Sequence, residues 1–280
     1  MSHQYLYLKL LLRNNLLLDL DEYAFIDTKQ QGLVCSFMDM KLASSFLRVL
    51  RVDGKVVGRE ALLRVESLAH GELAPNDAFE VAVRASRVVQ FDRLVRIIHL
   101  MNHARSFAEH ELLFLNVHPR LLTSVNDHGR TFEQILHYYS VPTSQVVIEI
   151  KETANVDEAV LADAVSNYRS LGYRVAVDDF GAAHSSLVSV LKLQPDIVKL
   201  DGALIRTTEH SRSAVTSFNK LVERFHGAGI QVAVEGIETT RQLEVARKSG
   251  ADLLQGYHLA RPEFAVVMRG QLCRGEQLAA

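Results

Sequence analysis

The chain has little cysteine, no tryptophan and no long apolar run. Its two cysteines, Cys35 and Cys273, are too far apart in sequence to form a zinc-type pair, so we expect free thiols in a reducing compartment. No segment approaches the ~18 uninterrupted apolar residues that a membrane span needs. The Leu-rich N-terminal segment is interrupted by Lys9 and Arg13 and lacks the cleavage site of a secretory signal. These absences predict a cytoplasmic protein without a membrane span.

An excess of charge of one sign is also absent. The chain carries 31 Lys and Arg against 33 Asp and Glu, for a net charge of −2, so it lacks the overall basic field that attracts nucleic-acid polymers. An anionic ligand would need local positive charge from metal ions or single basic residues. Hydrophobic residues make up 48% of the 280 residues and aromatic residues only 7%, which predicts a large and mainly aliphatic core.

What the chain does contain is a set of seven short apolar runs, each ending in a carboxylate, amide or amine. Helical stretches separate these runs, so they predict a parallel α/β barrel of the TIM type, (β/α)8, whose functional groups meet at the carboxyl ends of the strands. The runs are VVGREALLR with Glu60, LLFLNVHP with Asn116, VVIEIKE with Glu149, RVAVDDFG with Asp178 and Asp179, DIVKLD with Lys199 and Asp201, QVAVEGIE with Glu235, and LLQGYHL with Gln255.

The first two strands differ from the rest of the pattern. FLRVLRVDGKVVGREALLRV predicts a hairpin that turns at Asp53-Gly54, which makes the first barrel strand antiparallel to the second. The alternation predicts helices over 76–108, 131–140, 157–171, 211–228 and 239–249, a short helix after Ser185, and a closing helix in FAVVMRGQLCRG. Residues 1–43 precede the barrel pattern, and we expect an N-terminal extension there, either helical or a packing or dimer element. The barrel domain is predicted over 44–280.

Each polar strand end has an ordinary structural interpretation by itself. Glu60 could be a solvated charge at the rim, Asn116 could bond to a turn, and Asp178-Asp179 could cap a helix. Together they predict a metal site, because so many carboxylates cannot stay ionised side by side without compensating cations.

The types of ligand indicate which metal this would be. Oxygen donors without His or Cys favour Mg²⁺ or Mn²⁺ over Zn²⁺. The adjacent Asp178 and Asp179 could serve two ions ~3.5–4 Å apart, which can activate a water for phosphoryl displacement. Lys199 would add a fixed positive charge where the transition state accumulates negative charge.

In this order, the motifs EALLR (Glu60-Ala61-Leu62), LNVHP, EIKE, DDFG, KLD, VEGIE and QGY resemble the EAL-domain family over roughly residues 44–265. The resemblance implies a modified (β/α) barrel with an antiparallel first strand. It also implies a bacterial phosphodiesterase that hydrolyses cyclic di-GMP to linear pGpG with two Mg²⁺ or Mn²⁺ ions, is inhibited by Ca²⁺, and forms a homodimer.

The resemblance also implies roles for individual residues. The implied metal ligands are Glu60, Asn116, Glu149, Asp178, Asp179 and Glu235, and the implied catalytic residues are Glu60, Lys199 and Glu235. The residues implied in holding the substrate or the metal-bound waters are Leu62, Arg64, Asp201, Glu238 and Gln255, and Glu152 is implied as the anchor of the loop after DDFG.

Two positions depart from the family pattern. Leu47-Arg48 stands where many members have Gln-Pro, which removes a polar group near the substrate but no metal ligand. The loop DDFGAAHSSL has Ala183 and His184 where a Gly and a Tyr are usual. A positive φ at Ala183 would cost about 1–2 kcal/mol, and we expect His184 to be a surface loop residue.

Two other functions stay open at this point. The chain could be a receptor that binds cyclic di-GMP without cleaving it, or a regulator that binds a protein partner through its N-terminal segment. The altered loop and Leu47-Arg48 favour the receptor. The presence of every matched metal ligand favours the enzyme, which is the function we predict.

Overall fold

The computed structural model describes residues 13, 20–108, 110–124, 129–151, 157–182 and 186–265. Within these residues the chain forms twelve strands, nine helices and two short 3₁₀ turns. The strands are β1 (Ile26–Thr28), β2 (Gly32–Phe37), β3 (Met40–Arg51), β4 (Val56–Ser67), β5 (Gly71–Leu73), β6 (Leu112–Val117), β7 (Val146–Lys151), β8 (Arg174–Phe180), β9 (Ile197–Leu200), β10 (Gln231–Val234), β11 (Leu253–Leu254) and β12 (Glu263–Phe264). The helices are α1 (Pro75–Arg84), α2 (Val88–Ser106), α3 (Pro119–Ser124), α4 (Arg130–Tyr138), α5 (Glu158–Ser170), α6 (Leu187–Leu193), α7 (Gly202–Thr207), α8 (Arg212–Gly227) and α9 (Thr240–Lys248).

Eight of the strands close into a barrel. Their order around the ring is β3, β11, β10, β9, β8, β7, β6 and β4, and β4 pairs with β3 to complete it. β3 runs antiparallel to both of its neighbours, whereas β4 and the remaining barrel strands pair in parallel. The predicted barrel with an antiparallel first strand is therefore confirmed.

The turn between β3 and β4 explains the antiparallel pair. Gly54 adopts a φ of +85°, a conformation that glycine reaches without steric cost, and its N–H donates to Arg51 O at 2.9 Å. The two strands then pair over most of their length, which places Leu47 opposite Glu60. Adjacent residues on paired strands share a face, so both side chains point to the inside of the barrel.

An apolar layer fills the inside of the barrel. One residue from each of seven strands contributes to it, and the side chains are aliphatic except for one Phe, as the low aromatic content suggested. Its members are Val49, Phe114, Val147, Ala176, Ile197, Ala233 and Leu253. Residues at the alternate strand positions point outward and pack against the helices, where they form the larger part of the core.

The segment before β3 is tied to the barrel by a buried amide. β1 and β2 form a hairpin, and β2 continues the sheet by pairing with β3. Asn102 on α2 accepts a hydrogen bond from Leu33 N at 2.8 Å and donates one to Leu33 O at 2.8 Å. The amide side chain thus replaces a missing strand partner, which fixes β2 to the helix beneath it.

Several details differ from the sequence-based expectation. The helical region predicted over 76–108 consists of two helices, α1 and α2, because the chain turns at Ser86 with a φ of +57°. The prediction of a closing helix is wrong at its first residue, because Phe264 belongs to strand β12 and pairs with β3; residues 266–275 of that helix lie outside the described residues. Residues 1–12 and 14–19 of the Leu-rich N-terminal segment also lie outside them. Among the helices that are described, none has the length and apolar character of a bilayer crossing.

Candidate active site

A polar layer lies directly above the apolar layer of the barrel. Side chains on a strand alternate between its two faces, so the residue two positions after each inward apolar residue also points inward, nearer the carboxyl end. In six strands that residue is one of the predicted site residues. The pairs are Phe114 and Asn116, Val147 and Glu149, Ala176 and Asp178, Ile197 and Lys199, Ala233 and Glu235, and Leu253 and Gln255.

Lys199 is the centre of this layer. Its Nζ lies 2.5 Å from Glu149 Oε1, 2.7 Å from Glu235 Oε1, 3.3 Å from Glu60 Oε2 and 3.3 Å from Asp178 Oδ1. The Lys199 side chain is only 1% exposed. One buried ammonium group therefore holds four carboxylates that come from four different strands or strand ends.

Glu60 connects the two sides of the barrel. Asn116 Nδ2 donates to Glu60 Oε1 at 3.1 Å and to Glu149 Oε2 at 3.0 Å. On the other side, Gln255 Nε2 donates to Glu60 Oε2 at 2.7 Å. Glu60 on β4 therefore links Asn116 on β6 to Gln255, which follows β11, in one hydrogen-bond network.

Asp178 and Asp179 face the same site although they are adjacent in sequence. In a regular strand they would point to opposite faces. Here β8 has a bulge relative to β9, so that two residues stand where β9 has only Lys199, and Asp179 adopts a φ of +56°. The bulge brings carboxylate oxygens of Asp178, Asp179 and Glu235 within 4.8 Å of one another.

A second ammonium group lies at the edge of this cluster. Lys151 ends β7, and its Nζ lies 2.5 Å from Asp179 Oδ2 and 3.6 Å from Asp178 Oδ2. Its side chain is 44% exposed, in contrast to the buried Lys199. The cluster therefore has one cation at its centre and another at its rim.

The electrostatics of the cluster follow from burial and crowding. Burial, together with the nearby carboxylate of Glu60, raises the pKa of Glu149 well above its ordinary value, although Lys199 acts in the opposite direction. Burial also raises the pKa of Glu235, to about 8, against the opposing effect of Lys199. These two glutamates hold protons more tightly than an ordinary glutamate does.

In the remaining two groups the pKa shift favours the charged form. Burial would raise the pKa of Asp178, but Lys199 and Lys151 outweigh it and lower that pKa. Burial would lower the pKa of Lys199, but the surrounding carboxylates outweigh it and raise that pKa well above its ordinary value. Lys199 and Asp178 are therefore an ion pair at neutral pH.

A cavity of about 240 Å³ opens beside the cluster. Glu60, Glu235 and Gln255 form part of its wall, and Leu47 forms an apolar part. Its other lining residues come from α7 and from the loops that follow β9, β10 and β11. They are Asp201, Gly202, Arg206, Gly236, Glu238, Gly256 and Tyr257.

Some predicted site residues lie at or beyond the edge of this cavity. Asp201 lines it, but its carboxylate also caps α7 by accepting from Ala203 N at 2.7 Å. Leu62 and Arg64 follow Glu60 on the same face of β4, and Arg64 Nε donates to Ser45 Oγ at 2.8 Å. Arg64 lines a neighbouring depression of about 290 Å³ rather than the cavity.

The two departures from the family motif have different positions. Leu47 faces the cavity opposite Glu60, whereas Arg48 points away and forms an ion pair with Glu263 at 3.1 Å. Glu152, Ala183 and His184 lie outside the described residues.

Three residues near the cluster and cavity were not predicted. Lys151 could have been found by the strand period, because it lies two residues after Glu149 and so shares its face. Arg206 and Tyr257 line the cavity from a helix and a loop, and nothing in the strand pattern points to either of them. Tyr257 is 60% exposed, so its ring is accessible at the cavity rim.

The donor set fits hard divalent cations such as Mg²⁺ or Mn²⁺. Carboxylate and amide oxygens are the ligands these ions prefer, and the cluster contains neither His nor Cys among its described residues. If all groups were ionised, five carboxylates and two ammonium groups would leave three uncompensated negative charges. The carbonyl oxygen of Gln255 is buried and has no hydrogen-bond partner within the described chain. The carboxylates are Glu60, Glu149, Asp178, Asp179 and Glu235.

Comparison with known sequences finds cyclic di-GMP enzymes among the similar proteins. MucR of Pseudomonas aeruginosa, a bifunctional diguanylate cyclase and cyclic di-GMP phosphodiesterase, is 26% identical over 219 residues, or 77% of this chain. PdeB of Escherichia coli, a probable cyclic di-GMP phosphodiesterase, is 27% identical over 214 residues, or 73% of this chain. Both relatives are much longer, since the match covers 32% of MucR and 39% of PdeB.

Comparison with solved structures gives the same fold. A standalone EAL protein from Vibrio cholerae, in its cyclic di-GMP-bound form, has a TM-score of 0.70 at 25% identity, over 82% of this chain and 95% of that one. The calcium and cyclic di-GMP complex of BlrP1 from Klebsiella pneumoniae has a TM-score of 0.68 at 26% identity, over 79% of this chain and 56% of that one.

The extent of the family match decides the assignment. The EAL domain model matches residues 48–262, which include the end of β3, the other seven barrel strands and the whole polar layer. By this match the chain belongs to the EAL domain family.

Proposed function

We propose that the chain is a metal-dependent phosphodiesterase that hydrolyses one phosphodiester bond of cyclic di-GMP to give linear pGpG. The observation that carries the proposal is the polar cluster, in which five carboxylates, two amides and a buried lysine meet beside an open cavity. Crowding so many acids is costly unless the site binds cations. The family membership and the cyclic di-GMP enzymes among its relatives make this nucleotide the candidate substrate.

The residues that would hold divalent ions lie in and beside the polar layer. Glu60, Asn116, Glu149 and Asp178 would be one set of ligands, and Asp178, Asp179 and Glu235, whose carboxylate oxygens lie within 4.8 Å of one another, would be a second. When bound, two Mg²⁺ or Mn²⁺ ions would lower the pKa of a coordinated water and neutralise charge on the phosphate.

The chain's own residues account for the proton and charge movements. In the reaction a water oxygen bonds to phosphorus, the phosphorus–oxygen bond to one ribose breaks, and the ribose oxygen is protonated. Glu235 lines the cavity beside Lys199, where its carboxylate can take the water proton and return it to the leaving ribose oxygen. Lys199 keeps its proton and supplies fixed positive charge where the phosphoryl group becomes more negative.

The cavity wall provides contacts for the nucleotide. The exposed ring of Tyr257 offers a stacking surface for a guanine base, and Arg206 offers a cation for the second phosphate. Leu47 replaces a polar group with an apolar surface beside Glu60. Binding at this point therefore relies on apolar contact rather than on a hydrogen bond.

Product analysis tests the proposal. The protein is incubated with cyclic di-GMP in ¹⁸O-labelled water with Mg²⁺ or Mn²⁺, and the products are identified by mass spectrometry. We expect pGpG with a single ¹⁸O in its terminal phosphate. Unchanged nucleotide despite measurable binding would reject the enzyme and support the receptor, whereas cleavage without the label would reject attack by water.

A further inference from the structure

The two lysines of the cluster differ in how firmly they are held. Lys199 Nζ contacts four carboxylates and its side chain is 1% exposed. Among the described residues, Lys151 forms ion pairs with Asp178 and Asp179, and its side chain is 44% exposed. A buried lysine with four partners has nowhere else to place its charge, whereas a half-exposed lysine can extend its ammonium group into water.

The position of Lys151 is fixed by the sheet. It stands opposite Asp178 in the pairing of β7 with β8, and it lies two residues after Glu149, so it shares the inward face. The bulge in β8 turns Asp179 toward the same side. The closest contact of Lys151, 2.5 Å to Asp179 Oδ2, therefore joins two side chains that the sheet places on the same face.

The carboxylates that Lys151 contacts also belong to the group that could hold a cation. The described cluster that could hold a metal ion consists of Asp178, Asp179 and Glu235. Asp179 pairs with Lys151, while Glu235 pairs with Lys199. An ammonium group and a divalent ion cannot both approach the Asp179 carboxylate closely without strong mutual repulsion.

We propose that Lys151 is a tethered counter-cation that competes with a divalent ion for Asp178 and Asp179. A divalent ion binds to these carboxylates only when the ammonium group moves out toward solvent. Lys151 thereby sets the metal concentration at which this part of the site fills, while Lys199 remains in place. The inference rests on the proposed function only in that the cluster binds divalent ions.

Calorimetric titration with Mn²⁺ alone tests this competition. The variant Lys151→Met keeps the length of the side chain and removes its charge, and we expect it to bind Mn²⁺ about tenfold more tightly than the natural chain. Lys151→Arg keeps the charge and should bind as weakly as the natural chain. Lys248→Met removes an exposed lysine that pairs with Glu244 on α9, and it should leave the affinity unchanged.

Any other outcome of this titration would overturn the inference that Lys151 competes with a divalent ion. An affinity of Lys151→Met within about twofold of the natural chain would show that the ammonium does not compete. Tighter binding by Lys151→Arg would assign the effect to side-chain shape, and a lack of Mn²⁺ binding by all the proteins would remove the competition altogether. Because no nucleotide is present, the result does not depend on turnover. A chain that hydrolyses cyclic di-GMP but shows no Lys151 effect would keep the proposed function and reject this inference.

Discussion

Lys199 Nζ lies 2.5 Å from Glu149 Oε1, and the two side chains are only 1% and 0% exposed. A contact between buried opposite charges is stabilising only while both partners are present, because either one alone would be an uncompensated charge in a medium that solvates it poorly. Three further carboxylates share the same ammonium group. Lys199 is therefore both a candidate catalytic group and a structural requirement of the barrel.

Replacing Lys199 by Met should destabilise the chain strongly in a metal-free buffer. With EDTA present we expect a loss of about 3 kcal/mol in the free energy of unfolding, measured by urea denaturation. Mn²⁺ should restore part of this loss, because it can neutralise the carboxylates that Lys199 leaves. The control is Lys192→Met, which removes a lysine whose side chain is 67% exposed. It should leave the free energy of unfolding nearly unchanged. Equal stability of the two variants would contradict this role of Lys199.

Replacing Glu60 by Gln should abolish most turnover without unfolding the chain. The substitution keeps the side-chain volume but removes the charge that faces Lys199, and it places an amide against the amide donors of Asn116 and Gln255. We expect pGpG formation to fall by about 10²-fold or more. Glu66→Gln on the same strand, where Glu66 is exposed, should retain activity. Near-normal turnover of the Glu60 variant would remove Glu60 from the mechanism.

Replacing Gly256 by Ala should disturb the site through the backbone. Gly256 follows Gln255 and has a φ of +155°, and a Cβ there would lie 2.2 Å from Ile237 N and O. We expect a loss of about 3 kcal/mol or more and loss of turnover. Gly54→Ala is the matched control, since its φ is also positive but no atom lies within 4 Å of a Cβ; it should cost about 1–2 kcal/mol and keep activity. Equal costs would contradict the predicted clash.

His99 should make the fold sensitive to acid. It is buried, its Nδ1 forms a 2.7 Å hydrogen bond with Ser44 Oγ, and burial lowers its pKa from 6.5 to about 3. Between these values the unfolded chain binds a proton that the folded chain does not, so stability falls as the pH falls. From pH 6.5 to 5 the natural chain should lose about 2 kcal/mol more than His99→Gln, measured by urea denaturation. Equal losses of stability in the two proteins would contradict the lowered pKa of His99.

Much of the fold and site could be predicted from strand periodicity. Each inward apolar residue, such as Ile197, predicts that the residue two positions later, here Lys199, also points inward at the carboxyl end of the strand. The same rule applies to the other five strands of the polar layer. The hairpin at Asp53-Gly54 could also be predicted from the sequence, because few turns other than a tight hairpin favour that pair of residues.

The remaining features depend on contacts between distant segments. The bulge that turns Asp179 toward the site arises because β8 has one more residue than β9 between paired positions. It cannot be predicted from the sequence of either strand alone. The pairing of Lys151 with Asp179 follows from that bulge. The break between α1 and α2 at Ser86 was missed because neither Gly nor Pro marks it.

The most direct test of the account is the formation of pGpG from cyclic di-GMP as a function of Mn²⁺ concentration. The clustered carboxylates predict no product in EDTA and a rise to saturation as Mn²⁺ is added, and the resemblance to the family implies suppression when Ca²⁺ is supplied in its place. Nucleotide that remains intact at saturating Mn²⁺, or that is cleaved equally well in EDTA, would contradict metal-dependent hydrolysis at this site.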